Sequence, residues 1–398
     1  MGAAINNCKA RAVISEISVD WASFQVTFFL VSLKEGIVNA KKILLLVVAV
    51  LIILATGILI KPSRIEPVAY YPPPEPEMSG VYSENKHLRS AELIALGRIH
   101  GPEDIEPDDS GNLYSASEDG KVYFISKEGD MKAYAATGGR PLGMKLISDG
   151  TLYVADAMKG LLKIGPKGDV QILSTEAEGV PFKFTDDLDV AKDGTVYFSD
   201  ASYKYTAPEY LYDLMEGVPR GRLLKYDPRT KKTTVLMKDI FFANGVALSK
   251  NEDFVVLNET YKYRIHRYWL KGPKAGTSDV WVENLPGFPD NISSDGNGTF
   301  YLAMFTVRNP TMDHLLHPRP WAKILVAKLP KFLWPRPKPY GLAVLLDEEG
   351  RALASFQDPT GEHLKEITSV KRKGNYVYLG SLHNDRIGKF ELPPEFRK

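Results

Sequence analysis

The chain has 398 residues, charged side chains make up 25% of it, and its formal net charge is +1. So even a balance offers no basic surface for nucleic acid. Cys8 is the single cysteine, which excludes a disulfide within the chain and leaves the redox compartment open.

In chain order, the first 42 residues read as a cytoplasmic tail whose apolar stretch Trp21–Leu33 is too short to span a bilayer. Ile43 to Ile60 (ILLLVVAVLIILATGILI) is free of charge, with Lys41 and Lys42 before it and Lys61, Pro62 and Arg64 after it. A spanning helix needs about 20 apolar residues. The run is long and far from the N-terminus, so it reads as an uncleaved transmembrane signal anchor at 43–60. Lys34, Lys41 and Lys42 outnumber the basic residues that follow, which favours a cytoplasmic N-terminus. The expectation is a single-pass type II protein of the plasma membrane or an endomembrane, its main domain extracellular or lumenal. Residues 61–87 are proline-dense (Tyr70-Tyr-Pro-Pro-Pro-Glu-Pro) and read as an extended stalk.

From residue 88 to 394 one pattern returns six times. Asp109-Ser-Gly-Asn-Leu-Tyr leads to Lys121-Val-Tyr-Phe-Ile, and Asp149-Gly-Thr-Leu-Tyr-Val leads to Leu161-Leu-Lys-Ile. Asp193-Gly-Thr-Val-Tyr-Phe leads to Arg222-Leu-Leu-Lys-Tyr, and Asn251-Glu-Asp-Phe-Val-Val leads to Arg264-Ile-His-Arg-Tyr. Asp295-Gly-Asn-Gly-Thr-Phe leads to Lys323-Ile-Leu-Val, and Lys373-Gly-Asn-Tyr-Val-Tyr leads to Ile387-Gly-Lys-Phe. Each is a strand, a tight turn and further alternating strands. Units of roughly 40–50 residues have the period of propeller blades, so the expected fold is an all-β, six-bladed β-propeller. The segment His87–Ile99 is expected to supply the outer strand that closes the ring. Insertions at Tyr203–Pro219 and Phe305–Pro320 are expected as lids or partner surfaces, with Leu329–Pro339 leading toward the last blade.

At the head of successive repeats stand Glu103, Asp186, Asn244 and Asp290, in Gly101-Pro-Glu-Asp, Phe184-Thr-Asp-Asp, Phe242-Ala-Asn-Gly and Phe288-Pro-Asp-Asn. A closed ring points all four at one axis, and such a set of oxygens suits a hard cation such as calcium. No Gly-x-Ser-x-Gly elbow, His-Glu-x-x-His or phosphate-binding loop competes. Lys371-Arg-Lys reads as a solvated turn, and Asn258-Glu-Thr and Asn297-Gly-Thr are glycosylation sequons.

These motifs resemble those of the strictosidine synthase, paraoxonase and regucalcin–gluconolactonase family, and the resemblance runs from about Leu88 to Leu392. It implies a calcium ion on Glu103, Asn244 and Asp290, with Asp186 and Asn291 as further ligands. It also implies a second, structural ion on the neighbouring Asp104 and Asp187. Paraoxonases carry a catalytic histidine where Arg140-Pro-Leu-Gly places Leu142. Asp290, with Glu103, is therefore the candidate catalytic pair, and His314 and His317 of the fifth-repeat insertion are reserve bases. Where strictosidine synthase has a catalytic glutamate this chain offers Lys365, Thr368 or Ser369, with Glu366 nearby. Three functions are consistent with this. The first is a membrane-anchored, calcium-dependent hydrolase of aryl esters or lactones. The second is a non-catalytic, calcium-stabilised domain for a protein or lipid partner. The third is a condensing enzyme.

Overall fold

The computed structural model describes residues 40–397. The expected tail, with Cys8 and Trp21–Leu33, lies almost wholly outside these residues. The chain divides into two compact units, one ending at Pro62 and one running from Ser63 to Lys398. The first contains a 21-residue helix, Ala40–Ile60, over the expected span. Several of its side chains (40–46, 51, 54 and 55) are outside the description. Among the described residues no helix is long and apolar enough to cross a membrane.

The second unit is built from six four-stranded antiparallel sheets, the six blades of a β-propeller. The innermost strands of blades 1 to 6 are Ile105–Pro107, Pro141–Leu146, Thr185–Val190, Ala243–Leu248, Gly287–Ser294 and Ile367–Lys373. Strands such as Leu152–Asp156, Val196–Asp200 and Phe254–Glu259 are buried at every position, so each sheet has two faces to cover, and packing blade against blade in a ring covers both. The cores accordingly lie between blades. Val122, Met144 and Leu162 fill the gap between blades 1 and 2, and Leu188, Phe198 and Leu161 that between 2 and 3. Ile105, Leu113 and Ile387 fill the gap between blades 6 and 1.

The ring closes as the sequence predicts. Glu92–Ile94 forms the outer strand of blade 6, with Leu93 opposite Gly388 of the C-terminal strand Ile387–Glu391.

Three sequence expectations need correcting. Lys323-Ile-Leu-Val is not a strand but lies in a helix, Pro320–Lys328, which starts on a proline. The third strand of blade 5 is Gly341–Asp347, so the segment 308–340 is one insertion within blade 5 rather than a link to the last blade. Nor is the proline-dense segment from Ser63 a free stalk. It stays extended but is strapped to the propeller: Ile65 is buried beside Met215 and Trp334, and Val68 N–H donates to Glu216 O. Tyr70 N–H donates to His317 O, and Arg308 donates to Pro73 O. Proline has no N–H to donate to a ladder, but its carbonyl accepts side-chain donors.

Candidate functional site

The inner strands share one irregularity. Pairing with the second strand slips between Pro141 and Met144, Thr185 and Leu188, Ala243 and Val246, Pro289 and Ile292, and Ile367 and Ser369. The slips in blades 3, 4 and 5 fall on Asp186, Asn244 and Asp290, and those in blades 2 and 6 on Leu142-Gly143 and Thr368. A bulge adds a residue and re-aims its side chain, and here it turns successive side chains toward the axis. In blade 1 the strand begins only after Glu103-Asp104. The inner strands also approach closely: a Cβ on Gly143 would lie 2.2 Å from Asp187 Oδ1, and one on Gly245 would lie 2.5 Å from Asp290 O.

Glu103, Asp186, Asn244 and Asp290 all line one cavity of about 230 Å³. Its walls are apolar, with Leu142, Phe184, Phe242, Phe288 and Phe305 around the floor. Its roof comes from the two insertions, through Tyr210, Leu211, Leu214 and Met215 on one side and Met312 and Trp334 on the other. The roof helix Tyr210–Glu216 follows a Thr206–Glu209 capping box. Removal from water raises the Glu103 carboxyl to about 7, opposed by Arg140 and assisted by Asp104. Burial also lifts Asp186 and Asp290 well above the usual carboxylate range, and repulsion from Glu103 adds to both. The Asn244 side chain hydrogen-bonds Asp290, while its Oδ1 has no partner. Asn291 is buried, and neither atom of its amide has a partner.

Among the described residues, no group of three or more His, Cys, Asp or Glu side chains forms a ready-made metal cluster. The donor chemistry at the floor nonetheless fits calcium. Mutually repelling, desolvated carboxylates and an orphaned amide oxygen face one cavity, and a hard cation would satisfy all of them.

The second ion does not fit. Asp104 and Asp187 are buried, but the charge between them is supplied by Lys371. Its Nζ lies 3.1 Å from Asp104 Oδ2 and 2.9 Å from Glu106 Oε1, and donates to Met144 O at 3.0 Å. Burial works against this ammonium, yet Asp104, Glu106 and Asp187 outweigh it and hold it protonated. The acidic neighbours also stitch blades together. Met144 N–H donates to Asp104 Oδ2 at 2.8 Å and Val246 N–H to Asp187 Oδ2 at 2.9 Å. Reading Lys371 as a solvated turn residue was wrong: strand alternation on Ile367–Lys373 turns it inward.

The remaining candidates separate. His317 is fully buried, its Nδ1 2.9 Å from Tyr261 OH, and burial pushes it down to about 3, so it is neutral and away from the floor. Neither His314 nor His317 lines the cavity. Glu366 is engaged by His383 Nδ1 at 2.6 Å, while Thr368 and Ser369 are buried in the inner strand of blade 6, Thr368 donating to Glu103 O. Asn258 is no glycosylation acceptor, because it is fully buried and its amide donates to Asp290 O. Asn297 is exposed in a turn.

Two lining residues were missed from sequence. Arg140, two positions before Leu142, donates to Gly101 O at 3.2 Å and lies 3.4 Å from Glu103 Oε2. A lone arginine in a repeat that otherwise presents Leu142 was the available signal. Tyr210 comes from the third-repeat insertion, which has no repeat register to read. Its hydroxyl is pushed up to about 12 by burial and by Glu103, so it remains a neutral donor.

Comparison with known proteins agrees with this fold. The Strictosidine synthase family pattern matches residues 186–273, and the Strictosidine synthase-like, N-terminal pattern matches 80–125. A strictosidine synthase-like protein of Arabidopsis thaliana is 37% identical over 315 residues, 77% of this chain and 83% of the relative. The human adipocyte plasma membrane-associated protein is 36% identical over 377 residues, 88% and 89% of the two chains. Among solved structures, a gluconolactonase from Xanthomonas campestris superposes with a TM-score of 0.56 at 14% identity, covering 84% of this chain and 99% of its own. A calcium-binding regucalcin from Agrobacterium tumefaciens gives 0.53 at 13%, covering 76% and 91%. At such identities the likeness is one of fold. By sequence, over most of its length, the chain belongs to the strictosidine synthase-like family.

Proposed function

We propose that the chain is a membrane-anchored, calcium-dependent hydrolase of aryl esters or lactones. The observation that carries this reading is a floor of desolvated oxygens, Glu103, Asp186, Asn244 and Asp290, beneath an apolar cavity roofed by two insertions. Calcium bound there would polarise a carbonyl oxygen. Apolar walls hold the acyl or aryl portion and exclude bulk water. Asp290 takes a proton from an attacking water, whose oxygen bonds to the carbonyl carbon as the ester C–O bond breaks. The proton passes to the departing alkoxide, so ester and water become acid and alcohol. Arg140, beside Glu103, supplies a second positive group for the developing oxyanion.

The test is hydrolysis of phenyl acetate and a panel of lactones by the purified protein, with and without a chelator. Turnover should vanish on chelation and fall at least about 100-fold in Asp290→Ala. Activity that survives both would remove this site from the chemistry. A second reading, a non-catalytic calcium-stabilised domain that binds a protein or lipid partner, is favoured by Leu142 where paraoxonases carry a histidine; among the described residues no histidine lines the cavity. It gains if chelation lowers Tm while no ester is turned over.

The membrane reading is part of the same proposal: residues 43–60 span, the N-terminus is cytoplasmic and the propeller is lumenal or extracellular. Its support is the uncharged run and its similarity to a relative named as membrane-associated. A glycan should appear on Asn297 and disappear in Asn297→Gln, whereas Asn258→Gln leaves the glycan unchanged.

A further inference from the structure

The blade 5 insertion leaves an unusual amount of apolar surface in water. Leu315, Trp321, Leu325, Phe332 and Leu333 are exposed by 43, 64, 38, 69 and 56%. On the helix Pro320–Lys328, Ala322, Lys323 and Ala327 are buried, so Trp321 and Leu325, one turn apart, share an outward face. Two of the five stand on the turn Lys331–Leu333, and the very next residues, Trp334 to Pro337, line the cavity. The apolar surface therefore adjoins the cavity mouth. Soluble monomers rarely leave such patches uncovered.

The charge around it is one-sided. From Leu315 to Lys338 there are six Lys or Arg residues and no Asp or Glu. Only Lys323 among them turns inward, donating to Val68 O and Tyr261 OH. Exposed Trp, Phe and Leu flanked by basic residues are the composition of a segment that lies in a lipid head-group layer. On the membrane reading proposed above, residues 43–60 tether the lid to the bilayer by a short piece of chain. Ile65, buried in the core of the lid with Leu316, Ala322 and Trp334, comes only five residues after the apolar run ends at Ile60. Five residues reach at most about 17 Å.

We propose that this lid docks on the bilayer surface. Trp321, Leu325, Phe332 and Leu333 enter the acyl boundary, Lys331, Arg336 and Lys338 meet lipid phosphates, and the cavity opens toward the membrane. The surface is independent of hydrolysis, since it calls on no residue of the cavity floor.

The unit from Ser63 to Lys398 contains every blade and the strand that closes the ring, so it can be tested as a fragment. The fragment should float with vesicles of phosphatidylcholine and phosphatidylglycerol, with a blue shift of tryptophan emission. Partitioning should fall about ten-fold in Trp321→Ser/Phe332→Ser/Leu333→Ser, with Tm unchanged. Lys331→Glu/Arg336→Glu should weaken it in a way that disappears at high salt. For the full chain in vesicles, spin-labelled lipids should quench emission that is lost in Trp321→Phe. A fragment that never floats overturns the proposal, as does a triple variant that floats like wild type. So does association of two fragments through these residues without vesicle binding. Hydrolysis without flotation removes only the docking surface. Flotation without hydrolysis removes only the catalytic reading.

Discussion

Lys371 is the residue whose environment departs furthest from a reading of its neighbours in sequence. A basic triplet before Gly374 is the usual composition of a solvated turn, yet the inner strand continues through it and turns one ammonium inward onto Asp104. Asp104 and Glu106 are its direct partners, and Asp187 lies close enough to favour its charge. Removing one partner of a buried ion network typically costs about 3–5 kcal/mol. Lys371→Met should lose stability on this scale by chemical denaturation, and added calcium should not restore it. Restoration by calcium would show that the pair can hold an ion after all. The four head-of-repeat residues were legible because they recur in register, whereas Arg140 and Lys371 occur once each. A single residue carries no periodicity to betray its direction.

At the scale of elements, the bulges that aim the site depend on close approach of neighbouring inner strands. Gly143→Ala would drive a methyl against the Asp187 backbone and carboxylate. Overpacking of this kind costs about 2–3 kcal/mol, to be read as a lowered denaturation midpoint. The strands were legible from alternation and turn residues. The insertions were legible only as interruptions: Lys323-Ile-Leu-Val has strand composition, and tertiary packing of Ala322, Lys323 and Ala327 makes it a helix. The roof helix Tyr210–Glu216 offers a pH test. Burial raises the Asp213 carboxyl to about 7, with a hydrogen bond from Ser202 Oγ opposing the rise. Its unfolded value lies near 4. Between those values the native state holds a proton that the unfolded chain has released, so stability falls as pH rises from about 4 through 7. Asp213→Asn should flatten this slope and be more stable than wild type at pH 8, by on the order of 2 kcal/mol.

For the whole molecule, number and order of blades were readable because each is one repeat, and His87–Ile99 was recognisable as the piece left over. What the sequence concealed was the strap, since a proline-rich composition predicts extension but not adhesion. Its carbonyls are held by Arg308 and Asn284, and its Ile65 by the lid core. Arg308, fully buried against Asp313, serves both strap and lid. Arg308→Met should release residues 66–76 to proteolysis before the propeller unfolds, and uniform resistance along the chain would show the strap to be held elsewhere.

Pairing Glu92–Ile94 with Ile387–Glu391 has one more consequence, for how the protein is made. The partner of this early strand is made only after every other blade. Until then, five finished blades form an open arc with a bare face at each end, and unpaired strand edges invite association. Every nascent copy therefore passes through a stage in which it can join a neighbour instead of itself. A chain stopped before Ile387 never leaves that stage, and its fate is decided by quality control rather than by chemistry at the floor of the cavity.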